Sequence, residues 1–108
     1  MTDVNPIIAE IEAMLDAEIA PRALDAIEDT LTSGYATALA LEADRWRIER
    51  RITEVAAELG GEPDFELHRA EEIVGLAQRL SAADAELIRL REVLDALRER
   101  ADAARAAA

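Results

Sequence analysis

Residues 52–76, ITEVAAELGGEPDFELHRAEEIVGL, decide the fold. In their middle stands Gly60-Gly61-Glu62-Pro63. Glycine accepts the left-handed conformation that closes a helix, and proline suits the first turn of the next helix, where its missing amide costs nothing. Backwards from this turn, a three-four alternation runs through Leu59, Val55, Ile52, Ile48, Arg45, Leu41, Ala38, Gly34, Leu31, Ile27 and Leu24. Forwards, a second one runs through Ile73, Leu76, Leu80, Ala83, Leu87, Leu90, Leu94, Leu97, Ala101 and Ala104. Both are the seven-residue period of helices that coil gently to the left around a partner.

Helices of roughly 57 and 63 Å, at about 1.5 Å per residue, joined by so short a turn, are expected to run antiparallel. Ile52 then falls at the level of Ile73, Ala38 at that of Leu87 and Leu24 at that of Ala101. Apolar seam meets apolar seam except at Arg45, and a charged residue at a seam position reads as a device that fixes register or partner choice. Thr30, Thr32, Ser33 and Gly34 are weak helix formers, and Ser81 with Asp84 resembles a capping box. The heptad phase is unbroken across both places, so continuous helices are expected, with Gly34 the place for a kink.

Asn5-Pro6 reads as a helix start, the asparagine capping free amides. Helix one then runs to Ile19 and is stopped by Pro21. Its Ile7, Ile8, Ile11, Leu15 and Ile19 lie on one face, out of phase with the seam that begins at Leu24. Helix one is therefore expected to fold back on the hairpin or to pack against another molecule. The expected organisation is one helical domain over 1–108, with helices 6–19, 22–59 and 64–105 and a turn at 60–63.

Composition agrees. Alanine is abundant, glycine and proline are few, and Phe65, Tyr35 and Trp46 are the only aromatics, a mixture that favours helix over sheet. At 108 residues the chain buries a modest core, which favours self-association. No cysteine is present, so disulfides and thiolate chemistry are excluded. A net charge of −12 opposes nucleic acid and anionic membranes as partners. Most of that charge lies in residues 1–44, which hold ten acidic groups and only Arg22, so a basic partner would meet the first part. The N-terminus lacks a basic leader and no apolar run is long enough for a membrane span, so a cytoplasmic protein is expected.

The apolar faces are wider than a two-stranded seam needs. A second row contains Leu39 and Trp46 with Tyr35 beside them on the first long helix, and Leu67, Val74 and Ile88 on the second. Such a stripe marks a bundle helix or an interface, with tryptophan as anchor. Helix one, about 20 Å long, is expected to cover the Tyr35 end but not Trp46, Val74 and Leu67. The partner-binding candidates are thus Tyr35, Leu39, Arg45, Trp46, Leu67, Val74 and Ile88, and the expected assembly is a homodimer or higher homo-oligomer, a dimeric helical bundle.

Other features carry less. Arg45, Arg47, Arg50 and Arg51 flank Trp46, but Asp44 to Arg47 and Arg50 to Glu54 have the spacing of helical ion pairs. His68 precedes Glu71 and Glu72 by one turn, which reverses the Glu-x-x-His order of carboxylate-bridged iron bundles. A metal reading needs several chains to pool His68, Glu71, Glu72 and Glu58, as in a ferritin-like oligomer, and is the alternative function. Glu62, Asp64 and Glu66 complement the helix dipole instead of forming a calcium loop. Ser33 and Ser81 have no histidine in register, so no catalytic triad and no cofactor are expected. A Trp-x-Gly hairpin carries its motif at the turn, whereas Trp46-Arg47-Ile48 lies inside a helix, and that pattern is not met. The expected function is non-enzymatic: a helical protein-protein interaction, scaffold or adaptor protein.

Overall fold

The computed structural model describes residues 1–17 and 23–107, and among them the chain is all-helical. Helix α1 spans Asn5–Asp16, α2 spans Leu24–Ala57 and α3 spans Pro63–Ala107. Helix α1 ends at Asp16, with Ala17 already extended, short of the expected end at Ile19; Ile19 and Pro21 themselves lie outside the described residues. Both long helices continue without interruption through Gly34 and Ser81.

The turn forms as its residues dictate. Beyond Ala57 the chain tightens, the Glu58 amide donating to the Val55 carbonyl at 3.0 Å and the Leu59 amide to that of Ala56 at 3.2 Å. Gly60 then takes a φ of +94°, open to glycine alone without strain. Pro63 opens α3, and the Glu66 carboxylate reaches back to accept from the Gly60 amide at 3.1 Å. Asp64 and Glu66 add negative charge where the helix dipole is positive.

The start of α1 departs from expectation. Asn5 is already helical, Val4 takes the cap position, and no side chain caps the free amides from there. Asp3 instead accepts from the Asn5 amide at 3.0 Å. The Ile8 amide donates to the Val4 carbonyl at 3.0 Å, so the helix begins one residue earlier than the Asn5 cap expected, with Val4 buried at its start.

Side-chain pairs between α2 and α3 fall in opposite sequence order: Arg51 with Glu72 at 3.0 Å, Arg45 with Asp84 at 2.5 Å, Glu42 with Arg91, and Glu28 with Arg105 at 2.6 Å. Between them the seam residues are buried in two clusters. The larger holds Ile27, Leu31, Ala38 and Leu41 of α2, Ala83, Leu87, Leu90, Leu94, Leu97 and Ala101 of α3, and Val4, Ile7, Ile8 and Ile11 from the α1 end. The smaller, toward the turn, holds only Ile48, Val55 and Leu76 with Ile52, Ile73 and Leu80 beside them. Arg45 stands between the two. Each isoleucine of α1 buried in the larger cluster contributes about 1.5–3 kcal/mol, so the part of the molecule with three helices has much the thicker core.

The molecule measures 67 × 18 × 15 Å. Its long dimension is the length of α3, about 67 Å at 1.5 Å per residue.

Candidate interaction face

The α2–α3 layer has two sides, and α1 takes one of them. Thr30, buried in α2, donates its hydroxyl to Glu10 of α1 at 3.1 Å. Arg89 of α3 pairs with Glu12 at 3.2 Å. Arg100 of α3 donates to the carbonyls of Leu15 at 2.6 Å and Ala17 at 3.5 Å, supplying the positive charge that the last turn of α1 lacks. At the other end the Thr2 amide donates to Asp44 Oδ2 at 2.8 Å, while Arg47 holds Oδ1 at 2.8 Å. Hydrogen bonds from the Thr2 side chain and amide are the main reason the Asp44 carboxyl lies below its ordinary range, with Arg47 adding to the effect.

Among the described residues, nothing covers the opposite side. A groove there has Ala38 and Leu94 on its floor and Tyr35, Leu39, Glu42, Arg91 and Asp95 along its walls. The heptad carries this groove down the molecule. Counting back by sevens from Asp95 gives Ile88, Ser81, Val74 and Leu67, and counting forward from Leu39 gives Trp46 and Thr53. All six apolar candidates of the second row, Tyr35, Leu39, Trp46, Leu67, Val74 and Ile88, therefore face the side that α1 does not touch. They are between 39% and 69% exposed, far too open to count as core. Here the structure corrects the expected placement of helix one: α1 crosses the Thr30 side, so even the Tyr35 end stays open.

Arg45 is half-buried at its seam position. Its guanidinium lies within 2.5 Å of Asp84 and 3.3 Å of Glu49. The buried Nε–H does not point at the Asp84 oxygen, so that contact is an ion pair without an aligned hydrogen bond. Glu49 and Asp84 would otherwise confront each other across the groove, one step of the heptad from the Glu42–Arg91 pair. Arg45 thus separates two acids as well as two core clusters. Next to it, Trp46 carries the Arg50 guanidinium 5.4 Å above its ring, and Arg50 also pairs with Glu54 at 3.4 Å. The basic cluster is tied up in ion pairs on the helix surface.

Charge divides this face. In its outer half the groove residues are Glu28, Glu42, Arg91, Asp95, Arg98, Asp102 and Arg105, interleaved with Tyr35, Leu39 and Ile88. Toward the turn the same columns pass through Glu49 and Asp84, both paired with Arg45, and then continue as Thr53, Ala56, Ala70 and Ala77 around Val74, Leu67 and Ser81, these seven all exposed and uncharged. In a chain with 33% charged residues, this is a distinct surface.

The alternative metal ligands are not gathered. Glu58 takes Arg69 at 3.3 Å, Glu72 takes Arg51, and His68 and Glu71 are exposed. Arg51 is held above its ordinary range chiefly by that Glu72 carboxylate. Among the described residues no group of three or more histidines and carboxylates stands close enough to hold a metal ion. No described helix is long and apolar enough to cross a membrane.

No protein-family model matches the chain, and no curated protein or solved structure matches it either. The functional reading rests on the geometry.

Sequence reasoning missed Thr30, Asp44 and Arg100 as the residues that seat α1. Their only signal is position: Thr30 and Asp44 flank the α2 seam on the side opposite Tyr35 and Leu39, and no pattern in the sequence says which flank the first helix takes.

Proposed function

We propose that this chain is a non-enzymatic helical interaction protein, a scaffold or adaptor of the cytoplasm. It works as an antiparallel, coiled-coil-like hairpin that self-associates into a dimeric helical bundle. One observation carries this reading: with α1 committed to one side, an apolar row centred on Trp46 stays exposed along the whole of the other. Contiguous apolar surface of this kind marks an interaction site, and two-fold self-association is its commonest use. Arg45 acts as a specificity device, a charge that favours one register of the helices because only that register brings Asp84 beside it, Glu49 of its own helix being present in every register.

The metal-binding alternative has less support, since Glu58 and Glu72 are already occupied by arginines. Trp46 is the only tryptophan, so its fluorescence reports this face alone. Acrylamide quenching is expected to be weak at tens of micromolar protein and to strengthen on dilution as the face is uncovered. Quenching that is strong and independent of concentration contradicts the reading.

A further inference from the structure

We infer that the second copy docks on the turn half of the exposed face, antiparallel to the first, with the two-fold axis passing at Val74. This deepens the self-association reading and rests on it.

The area argues for a second copy. A compact folded chain of 11.8 kDa exposes about 5,900 Å². This one exposes 7032 Å². The surplus of roughly 1,100 Å² exceeds the roughly 800 Å² that each partner gives to a stable interface. Most of the core thickness lies at the other end, where α1 makes a third layer; the turn half is two helices thick and has only the smaller cluster inside it. A second turn half laid on it supplies the missing layer.

The charge pattern selects the half. Docking on the outer half would set the Glu42, Arg91, Asp95 and Arg98 groups against a second set of the same groups. The turn half offers only Glu49 and Asp84, both paired with Arg45 at its outer edge, and Arg50, paired with Glu54, so its desolvation strands no unpaired charge. Its small side chains also let two helices approach closely.

The heptad then selects the axis. Leu67, Val74 and Ser81 form one column of α3, with Val74 at its middle and about 10 Å, two helical turns, on either side. An antiparallel copy centred there sets Val74 against its own counterpart and Leu67 against Ser81 of the partner subunit. Trp46 lies at the Ser81 level on the neighbouring helix, so its ring packs over Leu67 of the partner subunit. Leu39, further from the turn, lies beyond the end of the second copy.

Because the chain has no cysteine, each introduced thiol is unique. The test is mild oxidation of full-length Val74→Cys and Leu39→Cys, read as covalent dimer on non-reducing gels, with light scattering of the unmodified chain. Val74→Cys is expected to cross-link at least ten times faster than Leu39→Cys. A mixture of Leu67→Cys and Ser81→Cys chains is expected to form the mixed dimer faster than either chain alone forms its own. All four positions are exposed, so folding is not at stake. If the chain is dimeric but Leu39→Cys links as fast as Val74→Cys, this docking is wrong while self-association stands. If light scattering finds a monomer, both fall.

Discussion

Leu94 occupies the space that a side chain at Gly34 would need. A Cβ there would overlap Leu94 Cδ2 and lie 3.5 Å from Ile11 Cδ1, so Gly34 marks the point where α1 and α3 both press on α2. The glycine serves close approach, since its backbone is ordinary helix. Gly75, in the middle of α3, has nothing within 4 Å of the same position.

The two glycines are therefore expected to respond in opposite directions. Gly34→Ala gains about 1 kcal/mol of helix propensity but overpacks a fully buried junction at a cost of about 1–3 kcal/mol, for a net loss. Gly75→Ala meets no neighbour in its own chain and is expected to gain up to about 1 kcal/mol. Thermal unfolding of both variants checks this, a kcal/mol corresponding to a shift of about 4–8 °C in a domain of this size.

Arg45→Met is expected to raise stability by about 1 kcal/mol, because it joins the two core clusters with a side chain of similar reach. Glu49 and Asp84, 51% and 45% exposed, are left free to hydrate. A large loss of stability would show that the ion pairs outweigh the apolar gain.

Asp44 ties the start of α1 to α2 and imposes a pH dependence. Its carboxyl titrates below its ordinary value of 3.8 when folded, so the stability it confers is fully present above that value and disappears as pH falls through the lower folded value. Asp44→Ala is expected to cost about 1 kcal/mol at neutral pH and to flatten the acid limb of the stability curve below about pH 4. Denaturant titrations at pH 3 and pH 7 measure both effects.

Arg100→Gln removes the donor that satisfies the end of α1. Hydrogen exchange is expected to quicken several-fold in α1, with the amides of α2 and α3 near the turn unchanged. Uniform acceleration along the chain would show instead that Arg100 supports the whole molecule.

How far these features can be read from residues alone depends on whether the signal is periodic or azimuthal. The all-helical class follows from the three-four spacing. So do the buried seam residues such as Leu41, Val55, Leu90 and Leu97, because a heptad needs no tertiary information to identify its apolar edge. Gly60 and Pro63 are equally local. The placement of α1 is of another kind. Ile7, Ile8 and Ile11 announce a buried face, but which flank of the α2–α3 layer receives it depends on Thr30, Asp44 and Arg100, polar residues spread over 70 positions. That choice decides the candidate face, since it leaves Tyr35 and Leu39 open with Trp46. Gly34 is of the same kind: the sequence shows a helix-weakening residue, and its packing role appears only where three helices meet.

The most direct measurement is the molar mass of the chain by light scattering at tens of micromolar, compared with Val74→Glu under the same conditions. The expected result is twice the 11.8 kDa of one chain, falling to a single chain when the glutamate is placed on the open face. A monomer in both samples contradicts self-association through that face.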